Sequence, residues 1–152
     1  MSDTARPETL RELESEVGVL IRRIRRVIGE RARAVHADLQ PASYLMLTYL
    51  DEHGPMRSSA IAETFDVDKG AISRQVQHLV DLGLVDRTPD PGDGRASLVS
   101  VSDDAGRRLG DVLAHRRKRL DERLGDWSDA ELTGFVDALG RYNKALDDRL
   151  SD

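Results

Sequence analysis

Apolar residues recur every three to four positions along most of this chain, and the rhythm changes once. Leu10, Leu13, Val17, Leu20, Ile21, Ile24, Val27, Ile28 and Val35 form a long stripe at helical spacing. Pro7 suits the first turn of that helix, Glu8 and Glu12 favour its positive end, and residues 1–6 read as a frayed tail. No proline interrupts the stripe before Pro41. Pro41 opens a second helix carrying Tyr44, Leu45, Leu47, Thr48 and Leu50, which runs to the breaker His53-Gly54-Pro55. Ser58 or Ser59 is expected to cap a short helix, Ala60-Ile61-Ala62-Glu63-Thr64-Phe65, and Asp66-Val67 turns into the next.

That next stretch, Asp68 to Leu84, organises the rest. Asp68 is the expected N-cap, and Gly83 is placed as the glycine that stops the helix. Ile72, Val76, Leu79 and Val80 mark a buried face. The opposite face shows Lys69, Ala71, Ser73, Arg74, Gln77 and His78. Donors, acceptors and one small residue are the types that read base edges and phosphates in a major groove. After Gly83 the period shortens to alternation. Leu84–Thr88 reads as one strand, Arg95–Val101 as its partner, and Pro89–Gly94 as a dense turn signal. A short helix, a tight turn, a polar-faced helix and a hairpin predict a winged helix-turn-helix over residues 39–102. Its recognition helix is expected at about residues 68–82 and its wing at about 84–101.

Two helices follow. Ser102-Asp103-Asp104 starts the first, with Ala105, Leu109, Val112, Leu113, Leu120 and Leu124 on one side and Gly125 at its end. Ser128 and Glu131 form a capping box for the second, with Trp127 expected to staple onto Leu132. Its stripe is Leu132, Phe135, Val136, Leu139, Tyr142, Leu146 and Leu150. The predicted fold class is therefore mainly α with a small β-hairpin wing. Residues 7–38 and 103–150 are expected to form a helical dimerisation region. These stripes exceed what a small domain can cover, so intertwining with a second copy is the economical solution. A two-fold dimer sets its recognition helices roughly 34 Å apart, one turn of DNA.

Charge qualifies this picture. The chain has 23 Lys and Arg against 28 Asp and Glu, a formal net charge of −5. A nucleic-acid binder is ordinarily basic. The local field matters more, since distant carboxylates are screened within about 10 Å at moderate salt. Cations cluster in Arg22–Arg33 and Arg116–Arg119. Arg22, Arg23, Arg25 and Arg26 read as a solvated face paired with glutamates, with contact to phosphates as the alternative. DNA binding is expected to be salt-sensitive, with modest non-specific affinity.

With no cysteine, thiolate metal sites, disulfides and thiol switches are excluded. His36, His53, His78 and His115 include no pair at helical i, i+3 or i, i+4 spacing, so no metal site is expected. There is no glycine-rich phosphate loop and no nucleophile-elbow pattern, so neither catalytic residues nor a cofactor are expected. No apolar run resembles a signal peptide or a membrane span, and the expectation is a cytoplasmic protein with no membrane partner.

The pieces resemble the MarR family of transcriptional regulators. The resemblance rests on Leu39-Gln40-Pro41-Ala42, Ala60-Ile61-Ala62, Val67-Asp68-Lys69 with Ile72-Ser73-Arg74, and Leu79 with Gly83-Leu84-Val85. It continues in Asp86-Arg87, Asp93-Gly94-Arg95 and Val99-Ser100-Val101-Ser102 before Gly106. It implies a homodimer on double-stranded DNA, commonly a repressor on a pseudo-palindromic operator. It implies that Ser73, Arg74 and Gln77 lie in the major groove. Arg95, at the wing tip, would enter the minor groove with Asp93 helping to orient it, and a narrow minor groove favours an inserted guanidinium. The same three residues also fit a turn held by a local ion pair.

Four departures stand out. Gln40 replaces a usual hydroxyl cap, Asp68 a common serine, Gly70 a frequent proline or serine, and Gly94 a second wing arginine. Relatives also often bind aromatic acids or lipophilic compounds, which favour a dimer form that does not fit DNA. His36, Tyr44 and Arg116 have the chemistry for an anionic phenol. A core Tyr44 and a solvated Arg116 account for the same residues without a ligand. Two alternatives stay open: a winged helix that docks another protein, and a regulator with no ligand of its own.

Overall fold

A computed structural model describes residues 5–147. Leu150, and the last residues of the expected 103–150 region, lie outside the described residues, as do residues 1–4 of the expected tail. Helix α1 (Ala5–Val35) takes in Ala5 and Arg6, which the sequence reading had left in that tail. Helix α2 (Pro41–His53) follows, and Pro41 occupies its first turn. Gln40 makes no side-chain cap bond there, so the family's hydroxyl cap has no substitute.

Next come strand β1 (Met56–Arg57), helix α3 (Ser58–Phe65) and helix α4 (Lys69–Asp81). Two expectations are corrected here. Ser58 and Ser59 lie inside α3, and Arg57, in extended conformation, precedes it without a side-chain cap. The reason is β1 itself, which the sequence reading missed. Met56 and Arg57 pair with Val99 and Leu98, and this pairing holds the backbone extended up to Ser58. Two residues are too few for an alternating pattern to show.

Strands β2 (Val85–Asp90) and β3 (Asp93–Val101) form the hairpin, and the sheet order is β1-β3-β2, antiparallel throughout. The strands run further than Leu84–Thr88 and Arg95–Val101, so the turn shrinks from six residues to Pro91-Gly92. Helices α5 (Asp103–Arg123) and α6 (Asp129–Asp147) complete the chain.

The chain divides into two compact units, with Val112 the last residue of the first and Leu113 the first of the second, so α5 crosses the boundary. The core of the first unit is built from Leu47, Leu50, Ile61, Ile72, Val76, Leu79, Leu84 and Val99, with Ala32, Val35, Ala105 and Leu109 closing it from α1 and α5. Arg108 donates to the Val35 carbonyl at 3.0 Å, tying the start of α5 to the end of α1. Ser102 donates to the Gly83 carbonyl and accepts from the Ala105 N–H, so one hydroxyl joins the end of α4 to the start of α5.

In the second unit, Ser128 and Glu131 make the reciprocal capping box, at 3.2 and 2.7 Å. Trp127 meets Phe135 edge-on with ring centres 5.8 Å apart, one turn beyond the expected Leu132. Edge-to-face contact suits two large rings better than one ring on a leucine. Arg22, Arg23, Arg25 and Arg26 are exposed, and none makes an ion pair among the described residues, contrary to the expected pairing with glutamates.

Candidate nucleic-acid interface

Both ends of α4 are fixed by local bonds. One oxygen of Asp68 accepts the Gly70 and Ala71 N–H groups at 3.0 and 3.3 Å. A Cβ on Gly70 would meet that same oxygen at 3.0 Å. The two departures Asp68 and Gly70 are thus matched, because the glycine leaves room for the carboxylate cap. At the other end Gly83 has φ +73°. Its N–H reaches the Val80 carbonyl, and the Leu84 N–H reaches Leu79, the paired bonds of a Schellman motif. Leu79 and Leu84 are both buried, which supplies the apolar contact that accompanies it.

Ile72, Val76 and Leu79 seat the inner side of α4 in the core, and Val80 is half-buried. Lys69, Ser73, Arg74, Gln77 and His78 are exposed, while Ala71 is half-buried. The side chains of Lys69, Ser73 and Arg74 make no hydrogen bond or ion pair among the described residues. Gln77 is engaged: it donates to Asp81 at 2.9 Å and accepts from Arg87 on β2 at 2.9 Å. His78 approaches the Asp38 carbonyl at 3.5 Å, too long for a strong bond.

The wing carries an irregularity that aims Arg95. Pro89 pairs with Ser97, yet Asp90 pairs with Asp93, so Gly94, Arg95 and Ala96 have no counterpart on β2. Such bulges bend a strand and redirect its side chains. Arg95 is exposed at the middle of this one. Asp93 accepts the Arg95 backbone N–H at 3.1 Å. The carboxylate therefore holds the backbone of Arg95, and no Asp93–Arg95 ion pair forms.

Asp90 braces the same tip. One of its oxygens accepts the Gly92 N–H at 2.8 Å, and the other takes two guanidinium nitrogens of Arg57, each at 2.6 Å. The Gly92 N–H first, then Arg57, hold the Asp90 carboxyl below its usual range, against a smaller opposing effect of burial. Sequence reading missed Arg57 and Arg87. Arg57 lies 33 residues from Asp90, beyond any local spacing rule. Arg87 lies ten residues from Gln77, on the strand that follows the helix, and an exposed arginine there carries no local signal of its partner.

The three effector candidates divide between the units, with His36 and Tyr44 in the first and Arg116 in the second. Tyr44 is 5% exposed within the core. The ring Nδ1 of His36 accepts the Asp38 N–H at 3.0 Å within its own loop. Arg116 is exposed on the part of α5 that belongs to the second unit. Among the described residues no hydrogen bond or ion pair links His36 to Tyr44. Among the described residues no three His, Asp or Glu side chains gather to hold a metal, and no helix is long and apolar enough to cross a membrane.

Known proteins share this architecture. Residues 37–96 match the model of the MarR family. The HTH-type transcriptional regulator YxaD of Bacillus subtilis is 37% identical over 141 residues, covering 90% of this chain and 94% of that protein. The HTH-type transcriptional repressor NicR of Pseudomonas putida is 25% identical over 127 residues, covering 82% of this chain and 80% of its own. Among solved structures, a MarR protein from Peptoclostridium difficile superposes with a TM-score of 0.70 at 20% identity, covering 96% of this chain and 92% of that one. With its capped helix α4 and bulged β2–β3 hairpin, the chain belongs to the MarR family of winged helix-turn-helix transcriptional regulators.

Proposed function

We propose that this regulator is a homodimeric repressor that reads a pseudo-palindromic operator and is released by a small ligand. The observation that carries the reading is the pair of uncommitted cationic elements on one compact unit: Lys69 and Arg74 on α4, and Arg95 on the bulge of β3. Ser73, Gln77, His78 and Ala71 complete the face of α4 offered to the major groove. Arg95, its backbone held by Asp93, is offered to the minor groove. Residues 39–102 serve as the DNA-reading part, and residues 7–38 and 103–150 as the part that joins two copies.

Dimerisation is supported by the apolar faces left open in one chain. Leu10, Leu13, Leu20, Ile21 and Ile24 on α1, and Leu113 and Leu120 on α5, are all exposed. Exposed apolar rows of this length mark an interface. The repressor outcome is supported by the kinship to NicR, a repressor by name.

A gel-shift titration against genomic fragments tests the proposal. Specific retardation that weakens with salt is the expected result, because phosphate contacts release counterions. Arg95→Ala lowers the operator affinity by about 1–3 kcal/mol if the contact is direct. Failure of every fragment to shift would leave the protein-docking alternative in its place. Release by a ligand is checked by thermal shift with phenolic and lipophilic compounds, since a ligand that binds the native fold raises its melting temperature.

A further inference from the structure

Arg87 reaches from the wing to the recognition helix and takes hold of Gln77. We propose that Arg87 is a positioning residue for base reading: with Asp81 it locks the Gln77 amide in one orientation, which selects adenine. This rests on the DNA-reading function proposed above.

The chemistry allows one assignment of the amide. Arg87 donates to Gln77 Oε1 at 2.9 Å, and Gln77 Nε2 donates to Asp81 Oδ1 at 2.9 Å. A guanidinium has only donors and a carboxylate only acceptors. Rotating the amide by half a turn would set N–H against guanidinium and oxygen against carboxylate. Both contacts would then be repulsive. A primary amide offers two N–H donors and two oxygen lone pairs. The clamp consumes one of each and leaves one of each. Among the bases, adenine presents an N6–H donor beside an N7 acceptor in the major groove, the complement of that remainder. Gln77, Asp81 and Arg87 are all exposed, so the clamp stands where a groove can reach it. An unclamped glutamine must be ordered when DNA binds, whereas this one is ordered beforehand.

Selection of bound sites from random duplexes, using the full chain, tests this. The samples are wild type, Gln77→Ala, Arg87→Ala and Arg87→Lys, each first shown to unfold with the wild-type midpoint. Wild type is expected to recover an inverted repeat with adenine at one position in each half-site. Gln77→Ala and Arg87→Ala flatten that position by about tenfold and leave the others intact. Arg87→Lys keeps part of the preference, because an ammonium still donates.

Three results overturn the inference. In the first, Arg87→Ala weakens binding to all sequences by one factor and lowers the salt slope by about one, which makes Arg87 a phosphate contact. In the second, Gln77→Ala flattens the position and Arg87→Ala does not, so nothing is being held. In the third, wild type recovers no repeat at all, which removes the DNA-reading function and this inference with it.

Discussion

The winged-helix core of the first unit and helix α6 of the second solve the burial of apolar residues in opposite ways. In the first, Leu47, Ile61, Val76, Leu79 and Val99 have no exposed surface. Their partners come from α2, α3, α4 and the sheet of the same chain. In the second, α6 has no buried residue, and Phe135, Val136 and Leu146 are 52%, 66% and 66% exposed. Both regions carry apolar residues at helical spacing. The difference is that the stripes of α2, α3 and α4 are short and converge on one centre, while that of α6, like the first part of α1, stays exposed in one chain. A periodic stripe thus predicts a helix in both places and a core in only one. The winged-helix core is self-sufficient, whereas the apolar faces of α1 and α6 stay open in one chain.

The largest effect expected from this contrast is in the first unit. Leu47→Ala removes a fully buried side chain and should cost about 2–5 kcal/mol in denaturant unfolding, through lost transfer energy and a residual cavity. Its cost should not depend on protein concentration if that core closes within one chain. A concentration-dependent loss would show that the self-sufficiency is false.

The counterpart in the second unit is Val136→Asp. On an isolated chain this is a surface change, expected to fall within about 0.5 kcal/mol. In a dimer that covers Val136 it buries an unpaired charge. Sedimentation should then show the dimer dissociation constant raised by about tenfold or more, that is by about 1.4 kcal/mol or more. An unchanged dissociation constant would put α6 outside the interface and leave its exposed stripe without an occupant.

How much of this was readable beforehand follows the same division. The stripe of Ile72, Val76 and Leu79, the Asp68 cap, the Gly83 stop and the Ser128–Glu131 box all depend on residues within a few positions of each other, and the sequence shows each directly. β1 was not legible, because its two residues are strand only through β3, more than forty positions later. The hairpin was legible as a hairpin. Its bulge was not, since the register of Pro89 on Ser97 and Asp90 on Asp93 depends on where the strands stop pairing. At the candidate site the single exposed cations were evident, but the links Arg57–Asp90 and Arg87–Gln77 join separate elements and appear only once those elements are packed.

A smaller effect separates helices held by packing from helices held by caps. Asp68→Ala removes the acceptor for two N–H groups of α4 and should lower stability by about 1 kcal/mol, while Asp68→Ser keeps an acceptor and loses only a fraction of that. Ser128→Ala makes the matching cut in α6, where no side chain of the helix is buried. Amide exchange in the first turn of each helix reads the outcome. If α6 relies on its cap alone within one chain, Ser128→Ala should fray it more in dilute than in concentrated protein, whereas α4 should respond alike at both. Equal behaviour of the two helices would erase the contrast between the units.

The smallest effect concerns the edge of the winged-helix region, where the wing tip extends beyond the apolar core and is held by charge. The Asp90 carboxyl lies below its usual value in the folded chain, held there by the Gly92 N–H and then by Arg57. A carboxylate whose folded value is depressed contributes stability above its unfolded value, about 3.9, and loses it as pH falls through the lower folded value. Acid should therefore loosen the tip only in the window below about pH 4 and leave it unaffected near neutrality. Asp90→Asn removes that step, because an amide has no proton to gain; its single oxygen keeps the Gly92 bond and its NH2 gives up the one from Arg57. Exchange of the Gly92 and Leu84 amides, followed from about pH 5 downward and corrected for intrinsic rates, should show an acid-dependent loss of protection at Gly92 in the wild type that is absent in Asp90→Asn. Leu84, whose amide is held by the Leu79 carbonyl, serves as the internal control. If Gly92 loses protection equally in both proteins, the tip is held by the β2–β3 pairing alone, and the Arg57–Asp90 bridge is a surface contact of no consequence to the wing.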